Sequence, residues 1–156
     1  MSVASVNHSS DTDAAPIAAP TSSGVYTLLV MARRGLAEAE FAPTSPERYA
    51  AAHLAALRAA AAVLAARARP ASGARRGRPL SAWILLTGVA PELGEWAEFF
   101  AAGARKRALA EAGLSGSVTT READDLLRDA TTFLAVVETK LGCSSQPHLF
   151  AAAGRP

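Results

Sequence analysis

A single cysteine, Cys143, is all the thiol chemistry this chain has, so no intrachain disulfide framework can staple it. Aromatic residues are scarce as well, at 6% of a chain that is 50% hydrophobic. The apolar content is therefore mostly Ala, Leu and Val, which excludes a thick aromatic core and favours helices in close contact. Alternating apolar and polar residues, the mark of a half-buried strand, do not occur. No run of about 18 apolar residues is free of charge, so a membrane span is not expected. The first 23 residues contain neither Lys nor Arg and carry Pro16 and Pro20, which excludes the basic start and apolar centre of a secretion signal. A cytoplasmic location is the expectation. Phosphate-cradling glycine loops, paired-carboxylate sites and metal-ligand spacings are all missing, so neither a metal nor a cofactor is expected.

What remains is 156 residues of helical signal, the size of one domain, with a net charge of +2. Residues 1–23 have no helical period and too little apolar surface to offset the entropy of ordering, so they read as a disordered tail. A first helix is predicted from Val25 to Ala42, with Val25, Leu28, Leu29, Ala32, Leu36 and Ala39 on one face and Pro43 as its stop. A second opens at Thr44-Ser45-Pro46-Glu47, a hydroxyl cap followed by Pro and Glu, and runs to about Ala68. Its expected packing seam is Ala50, Leu54, Leu57, Ala61 and Leu64.

Residues 69–79, rich in Arg, Gly and Pro, can hold neither helix nor strand. A third element keeps an apolar seam of Trp83, Leu86, Ala90, Leu93, Ala97 and Phe100 across Pro91. Proline removes a backbone donor and clashes with the preceding turn, so a short helix over 81–89 and a longer one to about Ala112 are predicted. The last helix starts at the capping box Thr119/Glu122, ends at Gly142, and carries the stripe Ala123, Leu126, Leu127, Ala130, Phe133, Leu134, Val137 and Leu141. The fold class is all-α: an antiparallel up-and-down four-helix bundle over residues 24–142, with a Pro-broken third element and a C-terminal tail from 143 to 156.

Charge is unevenly placed. Arg48, Arg58, Arg67, Arg69, Arg75, Arg76 and Arg78 follow one another with no acid between them, and Arg105-Lys106-Arg107 form a second basic cluster. Arginine forks grip phosphate oxygens bidentately, so Arg67, Arg69, Arg75, Arg76, Arg78, Arg105, Lys106 and Arg107 are the candidate nucleic-acid contacts. Solubility and cations at helix C-termini would account for the same residues without any ligand. No aromatic residue interleaves with the Arg-rich segment to stack bases. Asp124, Asp125 and Asp129 read as an exposed acidic face, and Cys143 reads as an inert thiol.

Of three histidines, His8 and His148 lie near the chain ends. His53 lies inside the second helix, one position before the seam residue Leu54, which reads as the edge of a helical interface. It also completes an Arg-x4-His pair with Arg48, in which His could move a proton and Arg could stabilise charge on phosphorus. Five residues at about 100° each leave the two side chains roughly 140° apart, so they do not share one face. They would meet only if Arg48 reached back, or across a dimer.

The segments ERYAAAHLAALRAAAAVLAARARP, SAWILLTGVAPELGEWAEFFAAGARKRA and TTREADDLLRDATTFLAVVETKL, in that order, resemble the HEPN superfamily, and more closely a compact actinobacterial HEPN family. The likeness covers about residues 25–142. It implies an antiparallel four-helix bundle, usually dimeric, with many members acting as metal-independent ribonucleases through an Arg-x4–6-His motif and others only binding. In many active members the motif lies at the start of the last long helix; here Arg121 is followed five residues on by Leu126. The expectation is an RNA- or nucleotide-binding homodimer, with Arg48 and His53 as the catalytic pair if it cuts RNA. The alternatives are a dimeric module that docks a protein partner, or an accessory factor on DNA.

Overall fold

A computed structural model describes residues 22–67 and 80–143. Residues 1–21 of the expected N-terminal tail, the segment holding Arg69, Arg75, Arg76 and Arg78, and His148 lie outside the described residues, while Ser22 and Ser23, expected in that tail, open the first helix instead. Helices α1 (Ser23–Glu40), α2 (Ser45–Arg67), α3 (Ala82–Val89), α4 (Gly94–Glu111) and α5 (Thr120–Lys140) make up the fold, with a 3-10 turn at Pro91–Leu93. Among the described residues there is no strand. The chain is all-α.

Each boundary has a local cause. Ser22 caps α1 by accepting from the Val25 amide, and α1 stops two residues short of the predicted Ala42 because the residue before Pro43 is disfavoured in helical conformation. Thr44 accepts from the Glu47 amide at 3.3 Å and donates to its carboxylate, which opens α2. Ser81 caps α3 in the same way, through the Ile84 amide. Pro91 then stands at the first position of the 3-10 turn, where its missing amide costs nothing, and Ala90 takes up the bend at φ −141 and ψ 71. The reciprocal Thr119/Glu122 box starts α5. Gly113 and Gly142, both with positive φ, end α4 and α5 in paired back-bonds: Leu114 to Leu109 and Gly113 to Ala110, then Cys143 to Glu138 and Gly142 to Thr139.

Helix α2 packs against all four other helices. Contacts of Gly35 with Ala55 and of Ala39 with Arg48 run α1 antiparallel to α2, and His53–Phe100 with Arg67–Glu92 run the third element antiparallel to it. Ser45 meets Thr120 and Arg48 meets Asp124, so α2 and α5 run parallel. A helix enclosed on so many sides needs small side chains for its neighbours' backbones to approach. That overturns the predicted seam. Ala50, Leu54, Leu57, Ala61 and Leu64 are all only half-buried, whereas Ala52, Ala55, Ala56, Ala59, Ala60 and Ala62 are buried. The same composition makes α2 long and apolar enough, on that basis alone, to cross a membrane; half of the apolar window is buried inside the bundle, as in a core helix.

The predicted faces of α1, the third element and α5 are otherwise buried as expected, with Leu28, Leu127 and Leu141 at the rim. Where α3, α4 and α5 meet, Trp83, Phe100 and Phe133 join: Trp83 and Phe100 stack at 5.2 Å, and Phe133 lies 5.2 Å from Phe100.

Candidate functional site

The chemistry-bearing residues named above sort onto two places. The first is the contact between α2 and α4, which holds His53. Tyr49 and His53 are one helical turn apart and so share a face, and both are buried against α4. Gly103 makes that approach possible: a Cβ there would lie 2.9 Å from the Tyr49 hydroxyl and 3.4 Å from His53 Cδ2. The His53 ring stands edge-on to Trp83 and Phe100, at 5.8 and 6.0 Å.

His53 Nε2 lies 2.8 Å from the Phe100 carbonyl. A carbonyl can only accept, so Nε2 carries the proton and donates, and Nδ1 is left as a lone-pair acceptor. Nδ1 is buried, with no hydrogen-bond partner among the described residues. Burial pushes the ring pKa down; the bond to Phe100 opposes this, Arg107's charge adds to it, and Glu111's charge opposes it. The imidazole is therefore neutral near pH 7, and at 1% exposure it is sealed from solvent. It lies well inside the interface, not at its edge. Tyr49 shows the same pressure, its phenol pushed up by burial, with Lys106 lowering and Glu122 raising it.

Arg48 is elsewhere. Its Nε donates to the Ala39 carbonyl at 3.3 Å and its guanidinium pairs with the Asp124 carboxylate. The residue reaches towards α1 and α5, away from the α4 contact, so one chain does not bring Arg48 and His53 together. The cation whose charge acts on His53 is Arg107. Tyr49, Gly103 and Arg107 were not singled out as partners of His53; the four-residue step from Tyr49 to His53 and the lone glycine in the Ala-rich stretch of α4 were the available signals.

The second place is the set of basic residues. Arg67 pairs with Glu92, Lys106 with Glu122, and Arg107 lies 3.6 Å from Glu111, while Arg105 is exposed. Lys106, and then Thr119, hold the Glu122 carboxyl down to about 2. Arg33–Glu138 and Arg48–Asp124 tie α5 to α1 and α2. Arg33, Arg48, Arg67 and Lys106 thus fasten separate elements to one another, whereas Arg107 pairs within α4. Among the described residues, no three His, Cys, Asp or Glu side chains come together in a way that could hold a metal ion.

An all-α bundle with a wrapped alanine helix and a bent third element is the class that the fold defines. A family model for SAV_6107-like HEPN matches residues 39–138, and the chain belongs to that HEPN family. The match runs from the end of α1 almost to the end of α5. No curated protein and no solved structure matches the chain.

Proposed function

We propose that this HEPN protein binds RNA or a nucleotide, as a homodimer in the cytoplasm, and that it does not cut RNA. One observation carries the binding half. Arg69, Arg75, Arg76 and Arg78 stand together with no acid among residues 68–79, whereas most cations of the helices are taken up by carboxylates. Arginines in a segment whose sequence holds no acid attract phosphate and release its counterions. The sealed, neutral His53 and the Asp124-bound Arg48 support the non-catalytic half, since a general base must reach its substrate.

The test is binding to a labelled single-stranded RNA over a salt series. Affinity should fall steeply with salt. Replacing Arg75, Arg76 and Arg78 together by Ala should flatten the log–log slope by about 2, at roughly 0.7 per lost phosphate contact. Unchanged slope and affinity in that variant would defeat the reading. Tighter binding to duplex DNA than to RNA would favour the DNA-associated alternative instead.

A second reading has its own observation. Leu80, Ile84, Leu85 and Val89 leave an apolar face of the α3 region exposed. Such a face suits a protein-docking module. Salt-insensitive association with no affinity for nucleic acid would favour it.

A further inference from the structure

The chain spends few aromatic residues, yet two of them, the half-buried Trp96 and the exposed Phe99, line an open cleft between α4 and α5. The remaining lining is Glu95 on α4 and Asp129 on α5, and the cleft volume is about 320 Å³. Trp96 is held in place from behind, stacked 6.0 Å from Phe100 and tilted 5.5 Å from Phe133. Phe99 stands perpendicular to it at 6.5 Å and remains 45% exposed. Two fixed aromatic rings set at right angles thus form a corner.

Among the described residues some carboxylates pair with a cation and others, including Glu38, Glu40, Glu47 and Glu98, do not; those at this corner are of the second kind. Glu92, Glu111, Glu122, Asp124, Asp125 and Glu138 each face a Lys or Arg. Among the described residues, Glu95 and Asp129 have no such partner. Aromatic faces carry negative quadrupole density and attract cations, most strongly indole. Unpaired carboxylates add to that potential in a concave site. A divalent metal would want several oxygen ligands in place of ring walls. A neutral apolar molecule would gain nothing from the two carboxylates.

We propose that the Glu95–Trp96–Phe99–Asp129 cleft binds a small alkylated ammonium ion, with its alkyl groups against the two rings and its charge balanced by the carboxylates. Trp96 reports directly on the site, because Trp83, the other tryptophan, is buried. The experiment titrates the full chain with choline while following tryptophan fluorescence, beside sodium chloride at equal ionic strength and the uncharged carbon-for-nitrogen analogue of choline. Choline should change the emission saturably, and the analogue should bind about 10-fold more weakly, the scale of a partly desolvated cation–aromatic contact. Phe99→Ala, and Glu95→Gln with Asp129→Asn, should each weaken choline binding several-fold. All three positions are at least partly exposed, and unchanged circular dichroism checks that these variants keep the fold. Equal affinity for choline and its neutral analogue overturns the proposal. So does a choline response no larger than that of sodium chloride, or full affinity in the double carboxamide variant.

Discussion

The two sides of α2 meet their neighbours by opposite means. Towards α1, contact is made by the smallest residues, with Gly35 lying against Ala55 so closely that an added Cβ would come within 3.3 Å. Towards α3 and α4, the neighbours bring Trp83 and Phe100, and α2 answers with His53. One side is stabilised by backbone proximity, the other by ring volume and one buried hydrogen bond. The lesson is that the first should not tolerate large side chains and the second should not tolerate truncation.

The largest effect should come from shrinking the aromatic side. Phe100 touches Trp83, Trp96, Phe99 and Phe133 and is fully buried, so Phe100→Ala should cost about 3–5 kcal/mol, read from the urea midpoint at constant m. Enlarging the other side comes next. Gly35→Leu should cost about 1–3 kcal/mol by overpacking against Ala55. In Gly35→Ala, about 1 kcal/mol of gained helix propensity should largely offset the tight 3.3 Å contact. If Gly35→Leu proved neutral, the contrast between the two sides would collapse.

Acid should reveal the polar element of the aromatic side. The folded pKa of His53 lies below its unfolded value of 6.5, so the unfolded chain takes up the proton first. Its contribution is fully present above that value and is lost as pH falls from it towards the folded pKa, at no more than about 1.4 kcal/mol per pH unit. Unfolding free energies at several pH values between 7.5 and 5 should show this decline, and His53→Leu should remove it. Glu122, depressed from 4.5 to about 2, adds its own loss only at lower pH, below that window. The smallest effect is expected at Arg48. Its pair with Asp124 is part-exposed, so Arg48→Ala should cost at most about 1 kcal/mol in the same unfolding assay.

Helix ends were legible in the sequence because each has its own chemical signal. Ser22 is the exception, a cap set in a run of tail-like Ser and Thr residues, while Ser81, Thr44, Thr119 with Glu122, Pro91 and Gly142 stand where caps, bend and stop occur. The buried face of α2 was not legible. Alanine is by far its commonest residue, so periodicity carries little contrast, and the leucines mark a stripe that is not the buried one. Its leucines sit at its margins because neighbouring backbones come too close elsewhere. The expected edge position of His53 fails for the same reason, since Leu54 beside it is not on the buried face. Its meeting with Phe100 joins residues 47 apart in sequence, a pairing no local pattern encodes.

The account stands on His53 being a neutral interior group that joins α2 to α4, with no access to a phosphodiester. Incubating the purified protein with RNA in the presence of a chelator, alongside Arg48→Ala and His53→Ala, tests that most directly. The RNA should be bound and remain intact with all three proteins. Cleavage by the wild type that vanishes in both variants would contradict the account and make Arg48 and His53 a catalytic pair, assembled across two chains.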